Sequence, residues 1–280
     1  MTRSWVFLLA AVAATACSRG SAQAPPHHHS ATGFGPEYVA QLESAQTHGE
    51  WVKYVGAGGD SVRAYLAYPM RSDAAPAMVV IHEIFGLSDW IRTVVDDLAS
   101  KGFVAIAPDL LTRRGGTQSA DSARKVISSL PPDSITADLN ATVAYLKGQK
   151  AVKGDAIGVI GFCWGGGQSF RYATNNPALK AAVVCYGPAP DLATVTRIQA
   201  PVYGAYAGND ARINANLSDV EKAMKAAGKR YPYKVYPGAN HGFLRARGVK
   251  PDGTKDPVEA TQADTGWADV LSFLKAELGK

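Results

Sequence analysis

Apolar runs alternate with amphipathic segments along the chain from about residue 50 to its end. Two segments with alternating apolar positions come first, at 51–55 and 62–68, and predict a pair of partly exposed strands. Continuous apolar runs are typical of buried strands, and they follow at 77–81, 103–107, 156–160, 182–185 and 202–205, with a short strand predicted at 233–236. Between these runs apolar residues recur at helical spacing, which predicts helices from Ser88 or Asp89 to near Gly102, over 135–146, over 220–227 and from Pro257 onward.

Strands that alternate with helices in this way are typical of an α/β domain with right-handed crossovers. We therefore predict one domain over residues 50–280, with a mostly parallel central sheet flanked by helices on both faces. In such sheets the chemistry collects at the carboxyl ends of the strands. The segments that follow the strands are therefore where functional side chains are expected.

The first 49 residues have a different composition. Residues 1–16 combine an early positive charge, an apolar stretch and a small-x-small ending, which together predict a secretory signal peptide. Cys17 follows directly, so two outcomes stay open: a lipidated cysteine that attaches the protein to the membrane, or simple cleavage and export. We expect a periplasmic protein or a membrane-anchored bacterial lipoprotein, with residues 17–49 as a flexible tether and the histidine run 27–29 as solvated linker.

Composition narrows the function classes. The 280 residues are 46% hydrophobic and 19% charged, which fits a globular protein with a sizeable core. The net charge is only +5 and no run of five like charges occurs, so nucleic acid is not an expected partner. The expected partner is a small molecule, and the protein is expected to be a monomer.

One cysteine lies on a glycine-rich corner directly after a predicted buried strand. Gly161-Phe162-Cys163-Trp164-Gly165 fits G-x-nucleophile-x-G, the nucleophile elbow of the α/β-hydrolase fold, with Cys instead of Ser. The tight turn tolerates little side chain beside the nucleophile, and the following helix directs its free N–H groups toward the sulfur. We therefore predict that Cys163 is a nucleophile and that the helix favours its thiolate.

A cysteine nucleophile needs a base and an acid that orients the base, and in this fold they follow the nucleophile along the chain. His241 is the one histidine after Cys163 and is the predicted base. Asp210, after the strand at 202–205, is the predicted acid, and Asp191, after the preceding strand, is its rival. The backbone N–H groups of Ile84 and Trp164 are the predicted oxyanion donors.

Metal chemistry is not predicted. His82-Glu83 could begin the zinc-protease motif H-E-x-x-H, but that motif requires His at position 86, where this chain has Gly86. A dinucleotide loop is also excluded, because Cys163 occupies the second glycine position of G-x-G-x-x-G. We expect no metal and no redox cofactor.

Five stretches together resemble the dienelactone hydrolase family, and they occur in that family's order: HEIFGL (82–87), APDLLTR (107–113), GFCWGG (161–166), AGND (207–210) and HGFLR (241–245). The resemblance covers residues 50–280. It implies the α/β-hydrolase fold and a triad of Cys163, His241 and Asp210. It also implies that Glu83 interacts with the resting thiol and helps to set its protonation. Finally, it implies that Arg113 and Arg245 bind the carboxylate of a dienelactone, whose ring opens to maleylacetate.

The leading hypothesis is therefore a carboxymethylenebutenolidase-like hydrolase of carboxylic esters or lactones that works through an acyl-enzyme. Two alternatives stay open. One keeps the triad but acts as a peptidase or thioesterase. The other is a non-catalytic envelope binding protein on an α/β-hydrolase scaffold, which would be expected to lack a triad member or to have a blocked elbow.

Overall fold

The computed structural model describes residues 33–247 and 257–279. Within these ranges the chain forms one sheet of eight strands: β1 (His48–Val55), β2 (Ser61–Tyr68), β3 (Ala75–Ile81), β4 (Val104–Pro108), β5 (Val152–Phe162), β6 (Ala181–Cys185), β7 (Val202–Ala207) and β8 (Tyr233–Tyr236). The helices of the same ranges are α1 (Pro36–Glu43), α2 (Asp89–Ser100), α3 (Ala120–Ile127), α4 (Pro132–Lys147), α5 (Trp164–Asn175), α6 (Ala211–Asn214), α7 (Leu217–Ala226) and α8 (Pro257–Leu278).

The strand order is β1-β2-β4-β3-β5-β6-β7-β8. β1 pairs antiparallel with β2, and β2 pairs antiparallel with β4, whereas the remaining neighbours are parallel. The prediction of a mostly parallel sheet is confirmed. The carboxyl ends of β3, β5, β6, β7 and β8 consequently lie along the same edge of the sheet.

Helices cover both faces, as predicted. Trp90 of α2 and Trp267 of α8 belong to the apolar cluster on one face, and Leu139 of α4 and Phe170 of α5 belong to the cluster on the other. Burial of one such side chain contributes about 1.5–3 kcal/mol. The central strand β3 is buried along its whole length, which explains why its sequence has no alternation of apolar and polar residues.

The N-terminal boundary differs from the prediction. Residues 17–49 were expected to form a flexible tether, but α1 lies inside that stretch and β1 already begins at His48. Tyr38 of α1 is buried in the same apolar cluster as Trp90, and the Trp90 N–H donates to the Gly33 carbonyl over 2.9 Å. Because so much of α1 is polar, its composition resembles that of a linker, while Tyr38 and the partly buried Leu42 pack it against the domain.

Other predictions fall outside the described residues. These are the signal peptide at 1–16, Cys17 and the histidine run 27–29. None of the helices that the structure describes combines the length and the apolar character needed to cross a membrane.

Candidate active site

The predicted nucleophile lies on a strained turn between β5 and α5. Cys163 has φ 55° and ψ −117°, and Trp164 directly after it is the first residue of α5. A residue other than glycine in such a conformation costs about 1–3 kcal/mol, which the surrounding structure must offset. The Cys163 N–H donates to the Cys185 carbonyl over 3.0 Å and so ties the turn to the end of β6. The half-buried thiol thus sits at the carboxyl edge of the sheet.

The glycines on either side of Cys163 allow this turn to form. A Cβ atom on Gly161 would lie 1.9 Å from the Gly165 carbonyl oxygen, and one on Gly165 would lie 2.4 Å from the carbonyl oxygens of Ile81 and His82. Both contacts are with backbone, which cannot move aside as a flexible side chain can. The start of α5 therefore packs directly against the ends of β3 and β5.

The predicted base and acid are in contact. The His241 Nδ1–H donates to the buried Asp210 carboxylate, whose other oxygen accepts from the Ile213 N–H at the start of α6 over 3.3 Å. Asp191, the rival acid, is exposed and accepts from the Ala193 N–H over 3.0 Å. The structure therefore brings Asp210 to the histidine. Since the carboxylate accepts at Nδ1, the Nε2 atom of the neutral ring has no proton and can accept one.

Tyr186 is a site residue that sequence analysis missed. It directly follows β6, has φ 40°, is fully buried, and its ring lies edge-on to His241 with a centroid distance of 5.1 Å. Among the described residues its hydroxyl has no hydrogen-bond partner. Burial first and the Glu83 carboxylate second raise the pKa of this tyrosine. Its position immediately after a buried strand was the signal in the sequence.

Glu83 and Arg245 form a buried ion pair beside the thiol. One guanidinium nitrogen of Arg245 donates to both carboxylate oxygens of Glu83, over 2.6 and 2.7 Å, and Glu83 is 1% exposed. Burial raises the pKa of Glu83, and the positive charge of Arg245 opposes that effect. Burial alone would lower the pKa of Arg245, but Glu83 outweighs it, so the guanidinium stays charged.

The same surroundings decide the state of the thiol. Burial first and the Glu83 charge second raise the pKa of Cys163 to about 11. The Trp164 backbone N–H, Arg245 and Arg212 act in the opposite direction without balancing them. The helix start thus favours the thiolate, as predicted, but the resting sulfur keeps its proton because one helix N-terminus stabilises an anion by less than this burial costs.

The predicted oxyanion donors lie on two adjacent segments, the loop after β3 and the start of α5. The side chains of Ile84 and Trp164 both pack against a small apolar cluster formed by Leu111, Ala123 and Ile127. Ala123 and Ile127 belong to α3, a helix that the sequence pattern did not reveal because only these two of its residues are buried. Helix α3 therefore supports both segments that carry the donors.

Arg113, the other arginine expected to bind a substrate carboxylate, is bound to carboxylates of the protein. Its guanidinium pairs with Asp60 before β2 over 2.9 Å and with the buried Asp138 of α4 over 2.7 Å. It therefore joins the β1–β2 turn to α4. Binding of a substrate by Arg113 stays a prediction, and it would require these ion pairs to open.

No group of three or more His, Cys, Asp or Glu side chains within 33–247 and 257–279 is arranged to hold a metal ion. Cys163 and Cys185 are both free thiols.

Comparison with known proteins shows the family of the chain. Residues 62–278 match the model of the dienelactone hydrolase family. A Methylorubrum extorquens protein named "Putative carboxymethylenebutenolidase" is 35% identical over 229 residues, which cover 76% of each chain. An Escherichia coli K12 protein of the same name is 32% identical over 79% of this chain and 85% of its own. The crystal structure of a Klebsiella pneumoniae protein named "Putative Dienelactone Hydrolase" superposes with a TM-score of 0.72 and 28% identity, over 81% of this chain and 98% of that one. The predicted α/β-hydrolase fold is confirmed.

Proposed function

Since the chain belongs to the dienelactone hydrolase family, we propose that it hydrolyses carboxylic esters and lactones with Cys163 as the nucleophile. The observation that carries this proposal is the strained Cys163 turn, which lies on the sheet edge that also carries the Asp210–His241 pair. A turn that costs folding energy is retained where it positions a reacting atom. The order nucleophile, acid, base also matches the order of the α/β-hydrolase triad.

The reaction begins when the Cys163 proton moves to Nε2 of His241 and the sulfur attacks the carbonyl carbon. Asp210 holds the ring in the required tautomer and stabilises the imidazolium that forms. The negative charge that develops on the carbonyl oxygen is held by the N–H groups of Ile84 and Trp164. The bond from the carbonyl carbon to the leaving oxygen then breaks, and His241 gives its proton to that oxygen. In a lactone the released hydroxyl stays in the same molecule.

The acyl-enzyme is a thioester, and water resolves it. His241 takes a proton from water as the oxygen attacks the carbonyl carbon, and the carbon–sulfur bond breaks. The carboxylic acid leaves and the sulfur recovers its proton from His241. Both steps thus use the same two oxyanion donors, and the second returns the enzyme to its starting state.

Arg245 indicates which substrates would react best. The names of the relatives describe a butenolide, a lactone, that carries a carboxymethylene group. We propose that the carboxylate of such a lactone competes with Glu83 for Arg245, since a planar guanidinium can bind the carboxylate of a substrate as well as that of a side chain. Glu83 also raises the pKa of Cys163, so a substrate that changes the Glu83–Arg245 pair changes the thiol's readiness to ionise.

Turnover tests the proposal directly. The soluble chain from Gly33 onward, freshly reduced, is assayed with a dienelactone and with p-nitrophenyl acetate, beside Cys163→Ala and Cys185→Ala as the matched control. We expect hydrolysis of at least one substrate that Cys163→Ala abolishes and Cys185→Ala retains. Activity on the neutral ester alone would keep the mechanism and remove the carboxylate preference. Turnover that survives in Cys163→Ala would contradict the nucleophile assignment.

We also propose that the protein is exported, on the basis of residues 1–16 and Cys17 in the sequence alone. Expression of the full chain in a Gram-negative bacterium, followed by fractionation beside Cys17→Ser, tests this. We expect the mature chain outside the cytoplasm, and a shift from membrane to periplasm in the variant would identify lipidation. Retention of the full-length chain in the cytoplasm would contradict export.

A further inference from the structure

His82 is a fully buried histidine next to both candidate oxyanion donors, and the reaction described above does not use it. It follows the last residue of β3 and precedes Glu83 and Ile84 in the loop that carries one donor. Its ring stacks on the indole of Trp164, whose N–H is the other donor, with a centroid distance of 5.7 Å and an interplanar angle of 18°. This histidine therefore belongs to one donor segment and contacts the other.

Its two hydrogen bonds fix its protonation state. Nδ1 lies 2.8 Å from the Glu83 carbonyl oxygen, which can only accept, so Nδ1 carries the proton. Nε2 lies 3.3 Å from the Leu110 N–H, which can only donate, so Nε2 has none. His82 is therefore neutral with its proton on Nδ1, and burial lowers its pKa in agreement with this.

The Glu83 carbonyl and the Ile84 N–H belong to the same peptide group. Among the described residues no peptide bond is cis, so this N–H points away from the carbonyl oxygen across a planar unit. A group that holds the carbonyl consequently fixes the direction of the N–H. A hydrogen bond accepted by the carbonyl also polarises the peptide and makes its N–H a better donor.

We propose that His82 is a positioning residue that directs the Ile84 N–H toward the developing oxyanion and fixes Trp164 relative to that N–H. This inference rests on the function proposed above and adds a residue to its machinery. His82 does not touch the substrate carbonyl. It acts through the peptide group of Glu83 and Ile84 and through the indole of Trp164.

The rest of the loop is held by a second set of hydrogen bonds. The Gly86 N–H donates to the Glu83 carbonyl over 3.1 Å, and the Leu87 N–H donates to the Thr117 hydroxyl over 2.9 Å. That hydroxyl donates in turn to the buried carboxylate of Asp109 over 2.9 Å. The Gly86 N–H thus shares the Glu83 carbonyl with His82, whereas the contacts of Leu87 and Thr117 fix the far end of the loop, and His82 supplies the side-chain hydrogen bond to the peptide that carries the donor.

The first test uses two variants that differ in one hydrogen bond. His82→Leu removes both ring contacts with polar atoms, whereas the side-chain amide of His82→Asn can still donate to the Glu83 carbonyl. An exposed histidine on β1, changed in His48→Leu, is the control. For p-nitrophenyl acetate we expect His82→Leu to lower kcat on the order of 10- to 100-fold with KM within about twofold, because loss of one oxyanion donor costs about 10²–10³ in kcat. His82→Asn is expected to recover most of that loss.

Alkylation of Cys163 by iodoacetamide separates this role from a general structural one, because that reaction forms no oxyanion. We expect the alkylation rate of His82→Leu to stay within about twofold of the wild type. Equal losses in hydrolysis and alkylation, or an unchanged kcat, would overturn the proposal.

A spectroscopic test does not depend on turnover, so it separates this inference from the proposed function. In the wild-type protein with ¹⁵N-labelled histidine, His82 is expected to show a protonated Nδ1 and an unprotonated Nε2 at neutral pH. A protonated Nε2 would overturn the inference even if the enzyme is active. The expected tautomer in a protein without Cys163-dependent hydrolysis would contradict the proposed function and leave the loop geometry standing.

Discussion

Replacement of Glu83 by Gln tests how the resting thiol is controlled. The Cys163 pKa is about 11, whereas an ordinary thiol has 9.0, so the site disfavours the thiolate by about two pKa units. Burial is the larger cause and remains in Glu83→Gln, while the second cause, the negative charge of Glu83, is lost. The Arg245 charge, which favours the thiolate, would also no longer be neutralised. We therefore expect the Cys163 pKa to fall by about 0.5–1 unit, where one unit is about 1.4 kcal/mol.

The rate of alkylation follows from this shift. At pH 8 a pKa of about 11 leaves on the order of one thiol in a thousand ionised, and each unit of decrease raises that fraction about tenfold. Intrinsic nucleophilicity falls with pKa, with a Brønsted coefficient of about 0.4–0.5. The net increase in the iodoacetamide rate at pH 8 is therefore about two- to fourfold, with a pH–rate midpoint about 0.5–1 unit lower.

The assay is the rate of iodoacetamide incorporation at Cys163 after brief pH jumps, read by mass spectrometry of the intact chain. Asp219→Asn is the control, since it removes one negative charge from the surface of α7, where Asp219 pairs with Lys222 over 3.2 Å. We expect the control to follow the wild type. A Glu83→Gln midpoint that equals or exceeds that of the wild type would refute the claim that this carboxylate keeps the thiol protonated.

Three further changes test the rest of the site. Asp210→Asn is expected to lower kcat by about 10²–10⁴-fold, since the amide no longer selects the correct His241 tautomer. The melting temperature should change little, because Asn also caps helices. A kcat within threefold of the wild type would contradict the acid role. Gly161→Ala is expected to lower the free energy of unfolding, measured in urea, by about 3 kcal/mol or more, because its Cβ would lie 1.9 Å from the Gly165 oxygen. Gly154→Ala is the control and should be near neutral, because the nearest atom to its Cβ lies at 3.6 Å. Arg113→Met is expected to lower stability by about 1–3 kcal/mol by leaving the buried Asp138 unpaired, and Arg245→Met is expected to raise the KM of an anionic lactone. A KM that also rises in Arg113→Met would support the predicted substrate contact of Arg113, and an unchanged KM in Arg245→Met would contradict that of Arg245.

The parts of the site that the sequence could predict depend on local pattern and chain order. β8 occupies residues 233–236 as predicted, because turns bound its short run closely. The Cys163 turn could be predicted because Gly161 and Gly165 each lie two positions from the cysteine in the chain. Asp210 and His241 could be selected because each follows a predicted strand, although the choice between Asp210 and Asp191 needed the contact itself.

The parts that could not be predicted depend on contacts between distant segments. The protonation of Cys163 is decided by burial and by Glu83, which lies 80 positions earlier in the chain, and neither can be read from the helix start alone. Arg113 has the right chemistry for a substrate carboxylate, yet the fold places Asp138 within 2.7 Å of it. His82 was considered only as the first residue of a zinc motif that the chain does not complete. Its contacts with both donor segments depend on the fold and could not be predicted from that motif.

A protonated resting thiol has a consequence beyond catalysis. The thiolate, and not the thiol, is the form that oxidants attack, and exposed low-pKa cysteines are the ones that oxidise most readily. Cys163 is half-buried and its pKa is about 11, so the features that delay its attack on a substrate also slow its conversion to sulfenic acid. In the proposed mechanism such a thiol gives its proton to His241 as it attacks, and a substrate that lowers the pKa of the thiol makes this transfer easier. In the proposed function a carboxylate-bearing substrate alters the Glu83–Arg245 pair beside the thiol, so the same buried charges would connect substrate selection with protection of the thiol.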